Sequence, residues 1–252
     1  MTALTAPATP LQRITRVVKL NLANPWNTIV MPWIVLASIF VLSFGIWLIV
    51  FTNIDPADRA DAQDGMGYSG ASTWIFVYLL VVAVQAMNFT MPLALGYGST
   101  RRDFYLGSAL TFVGLSVMWA VSLTILSALE SATNGWGVGG TMFTAIYFGG
   151  EATPIWQRGI IFFCVAMFFF FVGAAIATVY VRWRVIGMVV FFFLFGVAVI
   201  GGALLISLTQ SWDAVGRFFV TNGAVGVALW LLVPTAIAGL AGYLVLRRAT
   251  PR

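Results

Sequence analysis

The side chains in this sequence with chemistry to offer are few, and most lie in one stretch. Ser99, Arg101, Arg102, Asp103, Phe104 and Tyr105 fall together in LALGYGSTRRDFYLG at 93–107. Arginine beside aromatic rings is the combination enriched at protein interfaces, so the chemistry expected there is recognition of a partner. The competing reading is a positive membrane anchor with interfacial aromatics. Nothing comparable points to catalysis. The chain has no histidine, which removes histidine acid–base chemistry and histidine metal ligation. The lone cysteine, Cys164, sits in an apolar run where packing is a better role than reactivity. There is no G-x-x-x-x-G-K-[ST] phosphate loop, since GVGGTMF at 137–143 lacks the lysine. No metal site and no cofactor of the chain's own are expected.

Two weaker candidates remain. Gln85 and Asn88 are polar positions within an otherwise apolar stretch, suited to helix–helix contacts or to a substrate path. Phe191 and Phe195 belong to a phenylalanine cluster that either faces lipid or lines such a path. Gly67-Tyr68-Ser69-Gly70 has the outline of a serine nucleophile motif, but a serine needs a base and no histidine exists to provide it.

The elements that position these residues follow from composition. Of 252 residues, 61% are hydrophobic and 8% charged, against roughly 25% charged in an average soluble domain. Mean hydropathy is +0.97. Thirteen basic and eight acidic side chains are too few to coat a soluble domain of this size. A soluble enzyme, a disordered region and a nucleic-acid-binding domain are all excluded. The expected class is all-α: a polytopic membrane protein.

Charges mark where the chain leaves the bilayer. A spanning helix needs about 20 mostly apolar residues, and six segments qualify, near 28–51, 72–95, 106–129, 159–181, 185–208 and 223–246. The segment 131–150 is long enough but carries six glycines with Ser, Asn and Thr, a poor shield for backbone in lipid. Six spans with both termini cytoplasmic place ten basic residues and one acid, Asp103, on the inner side. Three basic residues and seven acids then lie outside, the distribution the positive-inside rule favours. The outer stretch 52–71 is expected to be a solvated turn with little structure, and Pro92 to bend the second span.

Ahead of the first span, Thr9 suits an N-cap and Pro10 the first helical position. Leu11, Ile14, Val17, Val18 and Leu22 gather on one arc of that helix, and Arg13, Arg16 and Lys19 on the other. An amphipathic helix lying on the inner leaflet, with its basic face toward headgroups, is expected; a charged flank that orients the first span is the alternative. The organisation is thus 1–27 cytoplasmic lead and connecting helix, 28–246 membrane domain and 247–252 cytoplasmic tail. Small residues four apart (Gly173 and Ala177, Thr235 and Gly239, Ala238 and Gly242) predict close helix contacts.

The segment 93–107 resembles the one that follows the second span in bacterial ATP-binding-cassette exporter permeases of the bacitracin and lantibiotic-resistance type. The layout, a basic amphipathic N-terminal helix and then six spans, is similar too. The resemblance implies a half-transporter in a bacterial cell membrane without an ATPase domain of its own. ATP and Mg would reside on a separate cytoplasmic ATP-binding subunit. It further implies that Ser99, Arg101, Arg102, Asp103, Phe104 and Tyr105 form the coupling helix against that subunit. A second permease copy, as a homodimer or heterodimer, would complete the assembly in contact with membrane lipids, exporting an amphipathic or apolar substrate. A non-transporting membrane scaffold that binds another cytoplasmic partner through 98–107 is the other function the residues allow.

Overall fold

A computed structural model of the chain describes residues 9–68 and 70–247; Ser69, residues 1–8 and the tail after Arg247 lie outside that description. The described chain is helical throughout, with no strand. Its α-helices are α1 (Pro10–Asn21), α2 (Met31–Asn53), α3 (Arg59–Met66), α4 (Trp74–Gln85), α5 (Met91–Gly96), α6 (Arg101–Ala132), α7 (Ile155–Leu208), α8 (Trp212–Trp230) and α9 (Leu232–Arg247).

Five helical stretches are long and apolar enough to cross a membrane: Trp26–Asn53, Pro56–Gly96, Arg101–Ala132, Ile155–Leu208 and Trp212–Arg247. Six separate segments were expected. The difference lies in α7, where 159–181 and 185–208 are joined into one helix of 54 residues. That helix is interrupted at Arg184, whose φ of 56° and ψ of −148° are not helical. Such backbone is costly for any residue with a Cβ, so the direction of the chain changes there.

The bend expected at Pro92 takes the form of a wider turn, and an unanticipated second proline, Pro32, has the same one. Met31-Pro32 and Met91-Pro92 are each preceded by a five-residue π-helical turn, Trp26–Val30 and Ala86–Thr90. Proline has no N–H to give to the preceding turn and its ring crowds the carbonyl four residues back. A wider turn ahead of it relieves both problems.

The core runs along α6 and the first half of α7. Phe112 stacks on Phe170 at 5.3 Å between ring centroids, and Trp119 on Trp33 of α2 at 5.1 Å. Cys164 is buried in this core. The small residues act as expected. A Cβ on Gly173 would stand 2.5 Å from the Leu80 carbonyl oxygen, and Gly242 lies over the Ala175 backbone. Glycine is what lets α4 and α9 come this close to α7.

The stretch 185–222 behaves differently. It starts after the break at Arg184 and ends at a second one, Gly223 (φ 60°, ψ −177°). Between them a helical hairpin turns at Gln210 (φ 52°), and none of its residues is buried within the chain.

The stretch 52–71 corrects the expectation of a solvated turn with little structure. It contains a 3-10 turn at Pro56–Asp58, all of α3, and part of a second 3-10 turn, Gly70–Thr73. Its Gly67 carbonyl accepts from the Ile146 N–H at 3.1 Å, which ties it to the glycine-rich segment.

Candidate functional site

The segment expected to be a separate coupling helix is the first turn and a half of α6. Thr100, rather than Ser99, is the N-cap: its hydroxyl accepts from the Asp103 N–H at 3.1 Å. Extended backbone at Thr100 (φ −78°, ψ 157°) starts the helix there, which leaves Ser99 in the preceding loop, half-buried.

Helical periodicity then sorts the candidate residues. Arg102 is exposed and Arg101 half-buried, whereas Asp103, Phe104 and Tyr105 all turn inward. Asp103 meets Arg13 of α1 at 2.6 Å. Phe104 is fully buried. The Tyr105 hydroxyl donates to the Gly239 carbonyl of α9 at 2.5 Å, and its ring lies 5.6 Å from that of Tyr243. The expectation that all six residues face a partner is therefore corrected for three. Asp103, Phe104 and Tyr105 bind α6 to α1 and α9, because an apolar ring on a helix flanked by two others gains more from burial than from display.

Helix α1 starts as expected, with Thr9 and Gln12 closing a reciprocal capping box ahead of Pro10. The middle of its apolar arc is covered, with Ile14 and Val18 half-buried, while Leu11 and Leu22 at the two ends are exposed. Val17 is buried, and a Cβ added to Gly107 would stand 2.6 Å from the Val17 Cβ. Asn21 donates to Ser108 at 3.2 Å and to Thr111 at 3.5 Å. Of the three basic residues expected at the headgroup face, Arg16 and Lys19 are exposed. Arg13 is the correction, drawn inward by Asp103, since a partly buried charge needs its opposite within reach.

The path candidates stay apart. Asn88 is in the π turn before Pro92 and its Oδ1 is buried without a partner; Gln85, at the end of α4, is half-buried. Phe191 and Phe195 stack on each other at 6.5 Å on the stretch of α7 beyond Arg184, half-buried and exposed respectively. An apolar groove of about 560 Å³ does run beside α9, and none of these four residues lines it.

A buried charge system at the opposite end of α6 went unrecognised in the sequence, where its members counted only as outer charges. Glu130 is 1% exposed. Its carboxylate accepts from the backbone N–H groups of Met142, Phe143 and Thr144 at 2.9–3.1 Å. The Thr144 hydroxyl donates to it at 2.6 Å and the Trp136 indole at 3.0 Å. Left-handed backbone at Asn134, Gly135, Trp136, Gly137 and Gly139 folds the segment back over this anchor, the conformation that glycine makes accessible. Arg158, equally buried, donates to the Gly150 and Thr153 carbonyls at 2.7 and 3.2 Å from the start of α7. Rings from three elements seal the cap: Trp136 packs on Phe40 of α2 at 4.8 Å, and Phe148 on Phe162 of α7 at 4.9 Å. The usable signal was an acid at the end of an apolar helix, followed by a glycine-rich stretch whose freed N–H groups require an acceptor.

Among the described residues no group of three or more acidic, cysteine or histidine side chains could hold a metal ion. No family model, curated protein or solved structure matches this chain.

Proposed function

We propose that the chain is the membrane subunit of an ATP-binding-cassette exporter, working as a pair in a bacterial cell membrane. A separate cytoplasmic subunit binds ATP and Mg and supplies the power. The observation that carries this reading is the clamp between α1 and the start of α6, made by Arg13 and Asp103 at 2.6 Å and by Val17 against Gly107. The clamp supports a mechanical role: a push on the exposed part of 97–102 would move α1 and the 32 residues of α6 as one rigid body. Ser99, Arg101 and Arg102, with Arg16 and Lys19, are the surface offered to the ATPase.

In this reading the membrane domain has six spans and both termini are cytoplasmic. A straight α7 would be about 81 Å long at ~1.5 Å per residue, far beyond the ~30 Å of hydrocarbon. The break at Arg184, next to Arg182, suits a cytoplasmic turn between two spans. An amphipathic or apolar substrate is the cargo, moved outward.

A membrane scaffold that moves nothing is the second reading. Burial of Phe104 and Tyr105 removes the ring contacts that the resemblance implies for an ATPase and leaves room for a different partner on the remaining polar surface. Purification from the native host in mild detergent separates the two. A stoichiometric ATPase that co-purifies, and loses the complex on Arg102→Glu, supports the exporter. A different cytoplasmic partner, lost on the same substitution, supports the scaffold, and no ATPase in any preparation removes the exporter.

A further inference from the structure

A cleft between the start of α6 and the end of α9 is lined by Arg101, Arg102, Tyr243, Leu246 and Arg247 and has a volume of about 350 Å³. Three arginines from two helices, Arg101 and Arg102 of α6 and Arg247 of α9, line it. The one ion pair among the described residues joins Arg13 to Asp103, so the acid nearest in sequence is already committed. A cleft with three positive charges and no acid of its own calls for an anion, and planar arginine forks suit phosphate oxygens in particular.

Tyr243 also lines a second depression, the apolar groove of about 560 Å³ between α6, α7 and α9. Its walls include Leu106, Phe171, Leu232, Gly239 and Leu240. Its floor is set by glycine: Gly239 is held to α6 by the Tyr105 hydroxyl, and Phe171 lies against it. From Tyr243 to Leu232 the groove follows twelve residues of α9, eleven rises or about 16 Å at ~1.5 Å each, half of a ~30 Å hydrocarbon core. A basic cleft and an apolar groove about as long as one leaflet is deep thus adjoin at Tyr243. A free anion would use the first and not the second, and an alkane the second and not the first.

We propose that the two form one binding site for an anionic phospholipid, with its phosphate among Arg101, Arg102 and Arg247 and an acyl chain in the groove beside α9. The site shares Arg101 and Arg102 with the surface proposed for the ATPase, but lipid binding is measured on the permease alone and ATPase association by co-purification, so either reading can fail without the other.

The test uses the whole protein, delipidated in mild detergent and mixed with phosphatidylglycerol, with phosphatidylcholine of the same chains, or with inorganic phosphate. Adducts are counted by native mass spectrometry and Tm is followed alongside. Phosphatidylglycerol should bind and raise Tm, and the other two should do so far less. Replacing all three arginines with glutamine should weaken phosphatidylglycerol on the order of a hundredfold, at about tenfold per 1.4 kcal/mol and ~1 kcal/mol per basic residue near a charged surface. Ala236→Trp, which fills the groove from an exposed position, should weaken it with the arginines intact, and Arg247→Gln alone covers a triple variant that fails to fold. Equal binding of the two lipids, or unchanged binding in the variants, overturns the site. Protection by inorganic phosphate alone would reduce it to an anion pocket. Protection by soluble polyglutamate would mark a surface for an acidic protein, and either result overturns the lipid.

Discussion

Arg13 and Asp103 lie 90 positions apart and meet at 2.6 Å, so that the first helix of the chain is fastened to the first turn of its longest uninterrupted one. Asp103 is nearly buried and Arg13 keeps about 29% of its side-chain surface. The pair should be worth about 1–2 kcal/mol, more than an open surface bridge and less than a fully enclosed one. Asp103→Asn is therefore expected to raise hydrogen exchange across 10–21 while leaving α6 protected beyond its first turns. Exchanging the two residues, Arg13→Asp with Asp103→Arg, should restore much of the protection.

Gly107 makes a steric prediction about the same contact. Any side chain there must displace Val17, whose Cβ would lie 2.6 Å from the new atom. Gly107→Val should cost about 1–3 kcal/mol by overpacking, read as a lower Tm. Pairing it with Val17→Gly should recover part of the loss. Full stability in the single variant would mean that α1 is not seated on α6.

Glu130 offers a sharper case, because one carboxylate satisfies three backbone N–H groups, a hydroxyl and an indole. Glu130→Leu strands all five donors. Glu130→Gln keeps one acceptor oxygen but turns an amide toward donors. At about 1–3 kcal/mol per buried group left unpaired, both substitutions should open 131–154 to limited proteolysis, with leucine the worse. Resistance equal to the parent would show that the glycine-rich segment holds its shape without the anchor.

The break at Arg184 separates five crossings from six. Reporter tags inserted after Asp61 and after Arg184 should report opposite sides of the membrane, with the Arg184 tag on the side of residues 1–9. A pair of tags on one side would remove the six-span topology and, with it, the cytoplasmic placement of both termini.

What the sequence made legible was periodic or compositional. Thr9 with Pro10 predicted the start of α1, Pro92 the departure from regular helix, and the small residues of α7 and α9 their close approach. What it hid was direction. Apolar arcs on Phe104 and Tyr105 say that a ring wants cover, but not whether another helix or a partner supplies it. The same ambiguity applies to Arg13, whose charge fits a headgroup as readily as Asp103. Glu130 and Arg158 were missed because most of their partners are backbone groups, to which residue types alone do not point. The segment 131–150 was correctly denied a span from its glycines, yet its fold depends on donors 6 to 14 positions from the acid.

The order of those donors bears on how the molecule is made. Trp136, Met142, Phe143 and Thr144 all follow Glu130 in the chain, so during synthesis the carboxylate emerges before any group that will solvate it. Until Thr144 has been added, the Glu130 carboxylate lacks two of its five donors, the Thr144 N–H and hydroxyl. The cap can be complete only once the last donor has been made: the anchor comes first in the chain, then the glycines, then the donors that close on it.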